Sequence, residues 1–305
     1  MRALLAVALL VAASIGHARS LDLAGFIDGD GAIAVQYQGD TVDPYFAMQA
    51  LLLAHDNGLD VRTPATRWIE WLLPRQKPDA TFDRFCRRGP VWAPCKTADA
   101  DDALHAMWIR TLSIAGNRVA DPRRVAESRR ASEAALARLR DPVRGIYLVS
   151  PVYPHALLMD NVEIWHHAAH RQPALARAIE DTFWDAKRGA WRYSTQEASR
   201  GDAFYPDAVA QVYPMLLGFP RHGQAYGPWM RRHRARWLEG THDDFAWGVV
   251  ALVAWRAHDK TSTGCWLREV ERERRGRHWT VTDEAALQVL QAEGAKPAAP
   301  TAECG

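Results

Sequence analysis

From Asp43 onward the hydrophobic pattern alternates between two kinds of helical stretch. Stretches of the first kind are apolar on every side: 44–57, 101–115, 160–170, 207–219 and 243–257. A helix that is apolar all round is buried. Stretches of the second kind are amphipathic and charged: 64–73, 122–140, 173–184, 228–238 and 265–275. These belong on an outside. Residues 282–291 open a sixth pair. Inner and outer helices in strict alternation predict a closed ring of helical hairpins, an all-α (α/α)6 toroid. Pro214 falls inside the fourth inner stretch, so that helix must kink or break. Before Asp43 the pattern is extended: Asp28-Gly29-Asp30-Gly31 is a turn signal followed by a short apolar run, which predicts a short N-terminal β-hairpin. The same four residues resemble a calcium loop, but the Glu that would close one is missing, so the turn reading is preferred. No other strand is predicted.

The first 20 residues stand apart. Arg2 precedes an apolar run from Ala3 to Ile15, and small residues follow at 16–20. A run that short does not span a bilayer and reads as a secretory signal peptide. The expected organisation is a leader over 1–20, a toroid over 21–292 and an Ala/Pro-rich tail over 293–305, with periplasmic or secreted location and no membrane insertion after cleavage. Removing the leader takes away Arg2 and Arg19 and no acid, which balances the charges. A neutral chain gives no reason to expect nucleic acid.

Four cysteines lie beyond the leader. An even count in an exported chain favours disulfides. Cys86 and Cys95 flank a turn-rich loop, and closing a loop that short stabilises by roughly 2.5–3 kcal/mol. Cys265 and Cys304 then pair by elimination and tie down the tail. A zinc site is the rival, but no second Cys-x-x-Cys or nearby His pair supports it. The 13 Trp are the compositional oddity. They suit a core, and in an exported protein they also suit sugar stacking.

The starts of the inner stretches are rich in acids and rings. They carry Asp43 and Tyr45; Asp99, Asp101 and Asp102; Asp160, Glu163 and Trp165; Tyr205 and Asp207; Asp243, Asp244 and Trp247. In a ring of hairpins the inner helices run the same way, so these starts converge on one pole. Capping explains any single Asp, because a carboxylate at a helix N-terminus is favoured by roughly 0.3–1 kcal/mol. It is the preferred reading for Asp160, which has capping-box spacing to Glu163, and for Asp243. It explains the set less well, since the outer stretches open on Thr63-Pro64, Asp121-Pro122 and Gln172-Pro173 without clustered acids. Carboxylates beside Tyr and Trp describe a saccharide cleft.

Three stretches carry a resemblance to a known family. They are Phe26-Ile27-Asp28-Gly29 through Asp43 to Ala54; Ala98-Asp99-Ala100-Asp101 with the apolar helix ending at Ala115-Gly116; and Tyr205-Pro206-Asp207-Ala208-Val209 with Val212-Tyr213. Together the chain resembles the inverting glycoside hydrolases of family 8, within the six-hairpin glycosidase clan. Members of that family accompany bacterial cellulose synthesis in the periplasm. The departures are specific. The family's acid is a Glu in Ser-Glu-Gly-Gln, where this chain has Asp43 followed by Pro44. The third match lacks the family's Arg and has an extra residue.

The resemblance implies an exported hydrolase of a β-linked polysaccharide or oligosaccharide, with a possible place beside an exopolysaccharide synthesis or export complex and with no cofactor or metal. Inversion needs a protonated acid and a base that activates water, with carboxyls roughly 6.5–9.5 Å apart. Asp43 is the expected acid and Asp207 the base. Glu163 is the alternative acid, as the one Glu at a mouth. Asp99, Asp101 and Asp102 would hold the sugar, and Tyr45, Trp165, Tyr205 and Trp247 would stack on it. The rivals are a catalytically inactive relative that binds polysaccharide, and a lyase on the same toroid.

Overall fold

A computed structural model describes residues 19–98, 100–196, 203–221, 225–240, 245–300 and 304. Residues 1–18, most of the expected leader, and Asp99, Asp243 and Asp244 lie outside the described residues. Among the described residues, six inner helical segments form the ring. They are α1 (Pro44–Asp56), α3 (Asp101–Ala115), α5 (Leu158–His167), α7 (Val212–Leu216), α9 (Gly248–Arg256) and α11 (Val281–Ala292). Each packs on the next, and α11 closes onto α1. Five outer helices alternate with them: α2 (Arg62–Leu72), α4 (Pro122–Arg138), α6 (Pro173–Phe183), α8 (Tyr226–Glu239) and α10 (Lys260–Glu273).

The inner helices are buried as their apolar pattern requires. Ala47 through Ala54 of α1 are all buried, and so are Val281 through Leu290 of α11. Close packing constrains the start of α9: a Cβ on Gly248 would lie 2.8 Å from the Ala286 Cβ and 3.1 Å from the Trp266 ring. Pro122 and Pro173 sit in the first turn of their outer helices, where the missing N–H costs nothing. The fourth inner segment is broken as expected. Residues 204–211 wind irregularly, with Tyr205 in an extended conformation, and only Val212–Leu216 is regular α-helix around Pro214.

The structure corrects the strand expectation. Strand β1 (Thr41–Val42) pairs antiparallel with β2 (Asp83–Arg88), which pairs with β3 (Val91–Thr97). A second small ribbon joins β4 (Trp184–Asp185) to β5 (Ala190–Trp191). Both disulfides are formed: Cys86–Cys95 staples the β2–β3 hairpin, and Cys265–Cys304 anchors the tail to α10.

The turn at 28–31 is an Asp turn. One Asp28 carboxylate oxygen accepts from the amides of Asp30, Gly31 and Ala32, and the other accepts from Trp92 Nε1. Its oxygens are therefore spent on protein donors. Ile27 and Ile33 bridge antiparallel on either side of the turn. Among the described residues no sixth outer helix follows α11. The N-terminal segment covers it instead: the Val281 amide donates to Val35 O (2.8 Å) and Gln288 Nε2 to Asp22 O (2.6 Å).

Most tryptophans are core. Trp68, Trp71, Trp108, Trp229, Trp266 and Trp279 are all buried. Trp165 is also core, 4 % exposed, and packs edge-on to Phe219 at 5.0 Å. It does not present a face to a sugar, which corrects its expected stacking role.

Candidate active site

Helical spacing assembles the site. On α1, Tyr45 and Gln49 are four residues apart and share a face; on α5, Asp160 and Glu163 are three apart and do the same. The two faces meet at the axis of the ring. Tyr45 Oη donates to Glu163 Oε2 (2.8 Å), and Gln49 Nε2 donates to Glu163 Oε1 (3.1 Å). Gln49 Nε2 also reaches the Tyr213 hydroxyl at 2.8 Å, and Thr282 donates to Gln49 Oε1 at 3.2 Å. Four of the inner segments thus bond through one network centred on Gln49.

Glu163 is 2 % exposed. Burial, with the Asp160 charge adding to it, pushes its carboxyl up to about 8, and the Tyr45 and Gln49 hydrogen bonds only partly oppose this. It therefore holds its proton at neutral pH. Asp160 is not an N-cap: α5 starts at Leu158 with Leu157 as cap, and Asp160 faces Asp102 instead. Both carboxyls are raised, chiefly by burial.

Asp101 and Asp102 diverge, because successive helix residues point about 100° apart. Asp102 turns to the axis. Asp101 has Lys77 and Asp79 as its charged neighbours, and burial lifts it to about 6. Asp43 caps α1, accepting from the Tyr45 amide at 3.0 Å, and pairs with Arg84 Nε of β2 at 2.6 Å.

An aromatic row lies at the same pole. Tyr205, 46 % exposed, stacks on Trp247 at 5.4 Å and 19°. Trp247 leans on Phe245 (5.2 Å), and Phe245 stacks on Phe46 (6.0 Å). Phe46 meets Tyr45 edge-on at 5.8 Å, so the row ends at the Glu163 network. Asp207, half-buried, stands two residues beyond Tyr205 on the wound segment.

Gln49, Phe46 and Phe245 were not expected from sequence. Gln49 carried a signal: it is the one amide inside an otherwise apolar stretch of α1, and a buried amide needs partners.

The opposite pole holds a cavity of about 260 Å³. Gln49, Glu163 and Tyr213 form its inner end, and Asp56, His166 and Arg171 lie at its rim. His166 Nε2 meets Asp56 at 2.9 Å and its Nδ1 faces Arg171 at 3.2 Å. Asp56, His166 and His167 bring one possible metal-ligating atom each within 4.8 Å of one another. With both His166 nitrogens engaged and a guanidinium alongside, that trio suits an ion pair better than a cation.

Comparison with solved structures places this architecture. A structure described as a novel alpha-amylase from Clostridium perfringens matches with a TM-score of 0.61 at 9% identity, over 89% of this chain and 95% of that one. The GH63 mannosylglycerate hydrolase from Thermus thermophilus matches with a TM-score of 0.48 at 13% identity, over 88% of this chain and 97% of that one. No protein-family model and no curated protein matches. The first likeness shows the fold, a toroid of helical hairpins.

Proposed function

We propose that this protein is a glycoside hydrolase whose acid is Glu163. One observation carries the reading: a buried carboxyl, held by Tyr45 and Gln49, sits on the ring axis where the aromatic row ends. Glycosidic cleavage needs a carboxylic acid whose affinity for its proton has been raised. Rings stacked in a row suit sugar faces. The fold shared with an alpha-amylase supports the same reading.

In this mechanism Glu163 gives its proton to the leaving oxygen, and Tyr45 and Gln49 stabilise the carboxylate left behind. Asp207 is the base that activates water, giving inversion. Tyr205 and Trp247 carry the sugar. Asp43 is assigned to capping α1 and holding Arg84, and Asp101 to the loop around Lys77, so neither keeps its expected role. The leader motif and two disulfides support export, and no described helix is long and apolar enough to cross a membrane. The resemblance in sequence favours a β-linked, cellulose-like exopolysaccharide as substrate.

The ion pair at Asp43, where the family resemblance puts its acid, favours a second reading: an inactive relative that binds polysaccharide. Reducing-end release over a panel of α- and β-glucans and bacterial exopolysaccharides, with the anomer of the product read by NMR, decides between them. Cutting with inverted configuration is expected. Binding with no cutting anywhere in the panel overturns the hydrolase.

A further inference from the structure

Asp102 of α3 and Asp160 of α5 are 0 % and 1 % exposed, and neither lines the cavity that Glu163 reaches. Their side chains lie within hydrogen-bonding reach of each other. Yet among the described residues neither Asp102 oxygen, nor Oδ2 of Asp160, has a donor from any other group. The amides of Asp102 and Ala103 approach the Asp102 carboxyl without completing a hydrogen bond. Two ionised carboxylates are acceptors only and repel strongly in a dry interior. Their contact becomes a hydrogen bond when one of them carries a proton.

The surroundings offer no cheaper solution. Among the described residues, the titratable groups acting across this part of the axis are Tyr45 from α1, Glu163 from α5, and Tyr205 and Tyr213 from the fourth inner segment. From α11 the contact is Thr282, through Gln49. His105, the next turn of α3, has Arg138 and Asp79 as its charged neighbours and is held neutral, mainly by burial. None of these is a cation that could neutralise the pair.

We propose that Asp102 and Asp160 share a single proton and, as positioning residues, hold the Glu163 carboxyl in its proton-donating form. The charge that remains on the pair lies one helical turn from Glu163 and opposes ionisation there. This inference rests on the reading of Glu163 as the acid.

The test uses Asp102→Asn, Asp160→Asn, the double variant and Glu163→Gln in the full chain. Infrared spectroscopy at pH 7.5, where Asp101 and Asp283, each raised to about 6, are ionised, counts protonated carboxyls by their C=O stretch and needs no activity. Wild type should show one such band from the pair and one from Glu163. Asp102→Asn should lose the first and keep the second, because the new amide donates to an ionised Asp160. Glu163→Gln should lose only the second; it leaves the pair untouched and covers the case in which a pair variant misfolds.

In the pH profile of hydrolysis, the double variant removes the charge entirely. Its basic limb should then fall by about one pH unit or more, while Asp102→Asn keeps the charge and should move much less. A merely structural pair would give equal profiles. An unchanged limb in the double variant, or no protonated-carboxyl band left in Glu163→Gln, overturns the proposal. If wild type cuts nothing, the hydrolase reading fails separately, and the infrared count still decides the pair.

Discussion

The two poles of the ring are built from the same helices and treat a carboxyl in opposite ways. Helix α1 carries Tyr45 and Gln49 toward one end and Asp56 at the other; α5 carries Asp160 and Glu163, then His166 and His167. At the C-terminal pole burial acts against the Asp56 charge, but His166, His167 and Arg110 outweigh it and hold that carboxyl below its usual range. At the axis Glu163 receives two neutral donors and a like charge, and is lifted to about 8. Desolvation raises both, though Asp56 is exposed and Glu163 is not. The sign of the neighbouring charge decides whether the group is a structural anion or a stored acid.

The largest expected effect separates function from stability at one residue. Glu163→Gln keeps the shape and the hydrogen-bonding capacity but cannot give a proton. Turnover should fall by roughly 10²–10⁴-fold while oligosaccharide binding survives. Its stability should move the other way. A carboxyl raised in the folded state binds more protons folded than unfolded, so the wild type loses stability as pH rises from about 4.3 toward about 8. Thermal melts should show the variant gaining on wild type across that window. Next in size, Trp165→Ala should cost roughly 3–5 kcal/mol in denaturant unfolding, because the ring is core. In well-folded Trp165→Phe, sugar affinity should be unchanged.

Tyr205→Ala should weaken oligosaccharide affinity about fivefold by calorimetry, as loss of one stacking ring worth roughly 1 kcal/mol. At the other pole, Asp56→Asn should cost about 1 kcal/mol at pH 7 and leave turnover alone. Because the folded Asp56 carboxyl is depressed, that contribution is present above about pH 4 and disappears as pH falls through the folded value. Melts at pH 7 and at pH 2–3 would show the difference close. The smallest effect is Tyr45→Phe, which removes a hydrogen bond to the charged form of Glu163. The basic limb of the pH profile should move upward by a few tenths of a unit.

Much of the fold was legible because helices that are apolar all round and helices that are amphipathic leave different patterns. Helix α3 begins and ends where the sequence puts it, at Asp101 and Ala115. The β2–β3 hairpin was not legible. Asp83, Arg84, Arg87 and Arg88 crowd β2, and Phe85 is its one buried residue, so no alternation shows. The site was half legible. That acids gather at one pole follows from the parallel inner helices, but which acid faces the axis depends on one residue of helical phase. Asp102 and not Asp101 turns inward, and Asp43 meets a partner, Arg84, from a strand that the pattern did not show. Glu163 stood out as the one Glu at a mouth; its protonated state depends on Tyr45 and Asp160, which only the fold brings to it.

The central claim is that the fold keeps the Glu163 carboxyl protonated at neutral pH. Titration of its side-chain carboxyl carbon by NMR, with Glu163→Gln assigning the resonance, tests this without any substrate. The expected midpoint is about 8. A midpoint near the ordinary carboxylate value of about 4.3 would contradict it and remove Glu163 from the role of acid.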